Sequence, residues 1–453
     1  MSTQKTKFFI QCHAVLLLLL VINSGSITIA SKVSKEQDRL HQQYAVPQWK
    51  QSFGQNNAVF PALNWWQSYG DKNLSAFIEK ALQNNPELAS IETRIAQVTA
   101  LSKITRADLF PSISVGGQYL YQQYARNQFA FPLPGRTFQS LSTPLQVSYE
   151  PDIWGKNLLH YKAAKRQIDA AQFSYQNARI QLSAAVATAY FNAVKLKQML
   201  ALQVQVKNDA EKQLFHTQQL FNAEQVTAQD MSTAKQHALQ AAAETEVLQS
   251  NSSIAQNQLI ALLGESPSQT KELELTPLSE INLPTKIETG LPQELLTHRP
   301  DVAQIEASMK TADLNIAAAR REFLPTIRIS GQSGFAAVGL SNVFKWKNIS
   351  SFLQPILNLP LFNGGSFKQN LKLKKAEYAE LLGQYQATIV NAYTEAENSL
   401  ATVDGNQKIY ADILSQQQEA TEKASHQRRL FDAGITAEPM WLSSDIEQLE
   451  SSK

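Results

Sequence analysis

The side chains best suited to chemistry are scattered along this chain and do not converge. His41, His160, His216, His237, His298 and His426 show no His-x₃-His spacing and no cysteine partner. A zinc site needs closely spaced ligands of that kind, so neither a metal nor a cofactor is expected. The one cysteine, Cys12, excludes an intrachain disulfide. There is no glycine-rich phosphate loop and no Gly-x-Ser-x-Gly elbow. Asp and Glu fall along helix faces, where charges are usually solvated. Asp230, in Val226-Thr227-Ala228-Gln229-Asp230, stands at the start of a helix, and Arg428 and Arg429 stand at the end of one. Both placements suit a helix dipole. Such residues hold helix ends and break no bonds, so no enzyme is expected.

The elements that carry these residues come in two copies. Leu82–Gln118 aligns without a gap on Leu296–Gln332 at an offset of about 214 residues. Pro86 answers Pro300, Glu92 answers Glu306, Arg106 answers Arg320, Pro111 answers Pro325 and Gly117 answers Gly331. The match continues at Leu145-Gln146 with Leu353-Gln354, at Gly155 with Gly364, and at Leu220-Phe221 with Leu430-Phe431. The repeated unit reads helix, strand, loop, strand, very long helix, turn, helix.

Within each copy, a helix interrupted near Asn84-Asn85-Pro86 or His298-Arg299-Pro300 runs to Pro111 or Pro325. Period-two alternation follows. Ile113, Val115, Tyr119 and Tyr121 oppose Ser112, Ser114, Gln118 and Gln122, which predicts a strand with one apolar face. Pro151 and Pro360 end the second strand of each copy. Between about Lys156 and Phe221 there is neither proline nor glycine, and between about Ser366 and Phe431 only Gly383 and Gly405. Each segment predicts a helix on the order of 100 Å long. Ile180, Ala184, Ala187, Phe191 and Val194 repeat at coiled-coil spacing. Phe221 to Gly264 spans about 43 residues, and the same span from Phe431 would end at about position 474, so the last helix reads as incomplete.

The expected organisation is a signal peptide at 1–30 and an irregular segment at 31–64. A first repeat follows at 65–264 with strands at about 111–124 and 141–150. A connector at 265–291 leads to a second repeat at 292–453 with strands at about 325–335 and 349–360. The leader has Lys5 and Lys7, the apolar core Ala14–Ile22 and the small-residue site Thr28-Ile29-Ala30. Cys12 precedes that core, whereas a lipoprotein needs its cysteine just after it, so no lipid anchor is expected. The chain of 453 residues carries a net charge of +2, and its mean hydropathy is −0.27. A nucleic-acid binder would carry a basic excess. Beyond the leader no apolar run is long enough to span a bilayer as a helix.

Two strands per copy make four per chain, too few to close a barrel, and open edges are not tolerated in lipid. If the apolar faces meet lipid, several chains must share one barrel. Tyr119, Tyr121, Tyr124, Phe129 and Phe131 suit an aromatic girdle at its rim. Pro111, Pro151, Pro325 and Pro360 read as barrel-to-helix transitions.

Leu291-Pro292-Gln293-Glu294-Leu295-Leu296, then Arg299-Pro300-Asp301, Ala317–Pro325 and Gly331, resembles the signature of TolC-like outer-membrane efflux factors, nearest the subgroup serving resistance–nodulation–division pumps. The resemblance covers about Trp65 to the C-terminus and implies a mostly α fold with a small β part. It implies a duplicated strand–helix unit, a coiled-coil tunnel, and four strands given to a barrel built by a homotrimer. It also implies an outer-membrane location in a Gram-negative bacterium, a periplasmic adaptor protein, an inner-membrane efflux pump, and small molecules such as drugs as cargo. Type I protein secretion is the alternative within the fold. A soluble periplasmic adaptor or structural protein explains the helices but not the lipid-suited strands.

The resemblance also implies a gate at the periplasmic helix tips, about Phe215–Asp230 and Arg428–Asp445. Asp230 matches an aspartate able to hold a tip shut; a plain dipole partner is the alternative. Gly434, in Phe431-Asp432-Ala433-Gly434-Ile435, is expected to be left-handed. Glu224 occupies the equivalent place in copy one, where a different turn is expected. Ser443 aligns with an acidic constriction in relatives, which leaves Asp445 as either its substitute or an ordinary solvated charge. Arg428 and Arg429 could pair in the gate or dock the adaptor.

Overall fold

The computed structural model describes residues 39–40, 42–44, 49–50, 64–125, 135, 137–268, 273–281, 292–338 and 343–452. The expected leader, most of the segment 31–64, the loop residues Phe129 and Phe131, and part of the connector lie outside the described residues.

In chain order a 3-10 turn at Trp65–Tyr69 precedes α1 (Lys72–Asn84) and α2 (Pro86–Ala107). Then come β1 (Ser112–Val115), β2 (Gln118–Gln123), β3 (Thr137–Tyr149), α3 (Lys156–Asn222) and α4 (Ala228–Leu262). The second copy supplies α5 (Pro292–His298), α6 (Pro300–Arg321), β4 (Thr326–Val338), β5 (Ile349–Asn358), α7 (Ser366–Asp432) and α8 (Glu438–Ser451). Helices α2, α5 and α6 each begin at a proline, whose missing N–H has no intrahelical partner at that position anyway. The long helices α3 and α7 have 67 residues each, and Gly383 and Gly405 do not break α7. The final helix, α8, has 14 residues against 35 in its counterpart α4. No helix among the described residues is long and apolar enough to cross a membrane.

The chain folds as two compact units. The first, mainly Thr93–Phe173 with Asp301–Thr388, holds the whole sheet. Its strands are antiparallel in the order β1-β3-β4-β5, and β2 also pairs with β3. Val115 pairs with Leu145 and Gln118 with Ser142. Counting between them sets Gly116 opposite Pro144, so β1 and β2 are one lane interrupted there. Pro144 has no N–H to donate into the ladder, although its carbonyl still accepts from the Gly116 N–H at 3.0 Å. On the other side Pro144 faces Gly334. A Cβ on Gly334 would lie 2.2 Å from the Thr143 carbonyl oxygen, so only glycine lets β3 and β4 approach. The sheet thus has four lanes, with β3 and β4 extending beyond the alternating runs in the sequence.

The second unit, mainly Ala45–Glu92, Ser174–Pro300 and Ile389–Lys453, has its core where α1 meets α3 and α4. Leu74, Ile78 and Ala81 form one buried face of α1 against Val186, Tyr190 and Val194 of α3 and Leu259 and Leu263 around the end of α4. The spacing is that of helical ridges. At the edge of this core lies buried Asp71, the N-cap of α1. Its carboxylate accepts from the Asn73 and Leu74 N–H groups at 2.9 and 3.2 Å, from the Tyr190 hydroxyl at 2.6 Å and from the Thr276 hydroxyl at 2.9 Å. One carboxylate therefore ties together a helix start, α3 and the connector. Burial and the hydrogen bond to Asp71 push the Tyr190 phenol up to about 12, so it stays protonated as the donor. Tyr190→Phe removes this charge-assisted bond and is expected to cost about 1.5–3 kcal/mol. Thermal unfolding followed by circular dichroism in detergent measures the loss, and a wild-type transition would show the network to be dispensable.

Candidate functional site

The register sorts the sheet by chemistry. On one face it places Ile113 beside Val147, Gly331 and Leu353, and Val115 beside Leu145. Tyr119, Leu141, Tyr149, Ile329, Ile327 and Leu357 continue that face. On the other, Ser114 neighbours Gln146, Gln332 and Phe352, and Ser112 neighbours Ser148, Ser330 and Gln354. The apolar side is bare in a single chain: Ile113 is 66%, Val115 77%, Leu353 74% and Leu357 68% exposed. Tyr119 and Tyr121 lie on this side, also exposed, while Tyr124 follows the end of β2.

The four prolines fall at element ends. Pro111 lies between α2 and β1, Pro151 follows β3, Pro325 precedes β4 and Pro360 follows β5. Two side chains fasten the end of β3 to the start of β4. Trp154 donates its indole N–H to the Pro325 carbonyl, and the Arg321 guanidinium donates to the Gly155 carbonyl at 2.8 Å. The Asp152 carboxylate accepts from the N–H groups of Asn157 and Leu158 at 3.1 and 2.7 Å, which satisfies free donors at the start of α3. The sequence does not reveal the partner of either Trp154 or Arg321, because each acts on a carbonyl more than 160 residues away.

The helix tips belong to the second unit. After α3, Gln225 N–H bonds the Leu220 carbonyl and Glu224 N–H bonds that of Phe221, at 2.9 and 3.0 Å. After α7, Ile435 N–H bonds the Leu430 carbonyl and Gly434 N–H bonds that of Phe431, at 2.9 and 2.8 Å. Both are Schellman turns. Gly434 is left-handed at φ +69, and Glu224 is left-handed too at φ +60. The expectation of a different turn in copy one is therefore corrected: the surrounding bonds impose the conformation although the residue is not glycine.

Asp230 occupies the third position of α4, in a capping box with Thr227. Its carboxylate accepts from the Thr227 N–H at 2.8 Å and hydroxyl at 2.7 Å, and its own N–H donates to the Thr227 hydroxyl oxygen at 3.2 Å. Those bonds to Thr227 hold the carboxyl below the ordinary carboxylate range. The cap therefore persists at neutral pH and is lost as pH falls through that lowered value. Arg428 lies 4.2 Å from the centre of the Trp441 ring, which stacks on Phe431, and its Nε is 3.3 Å from an Asp432 oxygen. Arg429 stands in the last turn of α7, where a cation complements the dipole. Asp445 is half-buried on α8, and burial with the nearby charge of Asp209 raises its carboxyl above the ordinary carboxylate range, against Arg428 and Lys212. The sequence reading missed Asp209, His216 and Trp441 as partners of the second tip.

Among the described residues no group of His, Cys, Asp and Glu could hold a metal ion. Among the described residues the sheet has a largely apolar face and no strand beyond the β1–β2 lane or β5. A family model described as outer membrane efflux protein matches residues 77–265 and 291–447, and the chain belongs to that family. The pyoverdine export outer membrane protein OpmQ of Pseudomonas putida is 28% identical over 365 residues, covering 79% of this chain and 76% of that protein. A crystal structure of a membrane protein from Pseudomonas aeruginosa superposes with a TM-score of 0.79 at 25% identity, over 90% of this chain and 92% of the other. The Campylobacter jejuni CmeC outer membrane channel gives a TM-score of 0.79 at 21% identity, over 90% and 86%. The chain is an outer-membrane protein of efflux and is not an enzyme.

The two tips make a direct comparison of left-handed positions. Glu224→Gly is expected to stabilise its turn, and Gly434→Glu to destabilise the other, each by about 1 kcal/mol. Hydrogen exchange of the turn amides measures both, and shifts of equal sign would show that φ is not the controlling feature.

Proposed function

We propose that three copies of this chain form the exit duct of a tripartite efflux system. Each copy gives four lanes to a twelve-strand barrel, with β5 of one copy pairing with the β1–β2 lane of the next. The observation that carries this reading is the bias of the faces: Ile113, Val115, Val147, Ile327, Ile329, Leu353 and Leu357 share one side, Ser112, Ser114, Gln146, Ser148, Ser330, Gln332 and Gln354 the other, and both edges are unpaired among the described residues. The apolar side would face outer-membrane lipid and the polar side a water-filled lumen. The paired long helices would line a periplasmic tunnel, and their tips would form a gate.

The energy for export would come from an inner-membrane pump, reached through a periplasmic adaptor. An adaptor that binds the tips better in a splayed state shifts the population towards open. The duct reads little cargo chemistry, and small molecules are the class favoured by the family to which the chain belongs. Arg428, Arg429, Gly434 and Asp445 lie at or beside the second tip, where gate contact or adaptor docking would act. Tyr119, Tyr121 and Tyr124 would sit at the barrel rim, and Pro111, Pro151, Pro325 and Pro360 would mark the passage from barrel to tunnel.

Two tests follow from this reading. A charge on the lipid side, Leu353→Arg, should cost about 2–4 kcal/mol near the bilayer midplane and deplete the protein from outer membranes, whereas Gln146→Arg on the polar side should insert normally. Equal insertion of both, measured by fractionation, would reverse or abolish the assignment of faces. For the gate, Asp230→Ala should admit antibiotics or dyes too large to pass otherwise, without the pump. Thr227→Ala, which weakens the cap by about 1 kcal/mol but keeps the carboxylate, should not. Unchanged uptake in Asp230→Ala leaves that residue as a cap alone.

A further inference from the structure

The strand-bearing stretches of both copies carry no acidic side chain. Between Asp108 and Glu150, and again between Glu322 and Glu377, there is neither Asp nor Glu. The connections that join the strands carry only cations: Arg126 and Arg136 between β2 and β3, and Lys345 and Lys347 between β4 and β5. The whole chain has no such bias, with 41 Lys and Arg against 39 Asp and Glu.

The β4–β5 connection joins the strand ends opposite those that lead to α6 and α7. Phe335, near the end of β4, pairs with Thr143 and Ile349 and shares the apolar face with Ile327 and Ile329. Its ring meets those of Phe344 and Trp346 edge-on, with centroids 5.7 and 6.2 Å apart. Buried Val343 precedes them. A 3-10 turn at Trp346–Asn348 follows, closed by the Asn348 N–H donating to the Lys345 carbonyl at 2.8 Å. Phe344, Lys345, Trp346 and Lys347 are all exposed, Phe344 by 72% and Trp346 by 84%. The two rings therefore continue the apolar face of the sheet beyond its last pairs, and the two lysines alternate with them.

Aromatic rings settle at the boundary between hydrocarbon and headgroups. A lysine beside them can lay its alkyl stem along the apolar surface and raise its ammonium group to the headgroups. Phosphate there attracts the ammonium, and the stretch supplies no carboxylate to repel it. We propose that Phe344, Lys345, Trp346 and Lys347 form a binding site for phosphate-bearing lipid of the outer leaflet. The rings take the edge of the hydrocarbon, and the ammonium groups bind the headgroup phosphates. The inference rests on the channel reading, which turns the strand ends opposite the helices towards the outer surface.

Native mass spectrometry of the full chain in mild detergent tests the site, with diphosphorylated lipid A and phosphatidylcholine as the probes. The wild type is expected to hold the diphosphorylated lipid more tightly. Lys345→Gln combined with Lys347→Gln should weaken that binding roughly tenfold and leave phosphatidylcholine binding unchanged. Trp346→Ala should weaken binding of both lipids. Circular dichroism checks that each variant keeps its fold. Equal binding of the diphosphorylated lipid by the wild type and the double-lysine variant would overturn the proposal and leave the channel reading standing. So would a Trp346→Ala chain that binds both lipids like the wild type but no longer forms a trimer, because the rings would then belong to the joint between copies. A wild-type chain that takes up neither lipid would overturn the proposal together with the channel reading.

Discussion

The rest of the structure depends on one constraint: a sheet edge cannot be left open in lipid. An unpaired N–H or C=O in hydrocarbon costs several kcal/mol, and each described chain has one edge at the β1–β2 lane and another at β5. The apolar face makes the same demand from another direction, because Leu353 and Val115 are about three-quarters exposed in a single chain. Lipid can cover that face, but only further strands can satisfy the edges. The closed ring proposed above would meet both demands, and it would account for a chain of this size carrying so little sheet of its own.

The second unit is organised by polar groups that are fully used. Asp71 has donors from two backbone N–H groups and two hydroxyls, so its burial costs little that is not recovered. Asn85 plays a similar part between α1 and α2. Its side-chain oxygen accepts from the Glu87 and Leu88 N–H groups at 3.0 and 3.1 Å, while its amide donates to the Leu262 carbonyl at 3.0 Å. The break in the first helix is therefore also a link to α4. Side chains of this kind select one packing among many that an alanine-rich helix surface would tolerate.

Much of the fold was legible because its signals are local. Alternation from Ile113 to Tyr121 marks a strand with one apolar face, the absence of Pro and Gly after Lys156 marks a long helix, and the second copy repeats both. The break at Gly116 was not legible, since it arises from Pro144 on the neighbouring strand. The left-handed Glu224 was hidden for a similar reason: residue type argues against it, and the Schellman bonds of the flanking helix override that preference. Asp230 declared itself by its spacing from Thr227. Asp445 did not declare the charge beside it, because Asp209 lies in the other copy of the repeat and only tertiary packing brings it near. Proximity of that sort carries no spacing rule.

The most direct test of the account is the native mass of the protein extracted from outer membranes in mild detergent. A particle containing three chains is the predicted result, since three sets of four lanes would close the proposed barrel and leave no edge. A protein found in the soluble periplasm as a single chain would contradict the account. Its apolar sheet face and both open edges would then have to be reconciled with water.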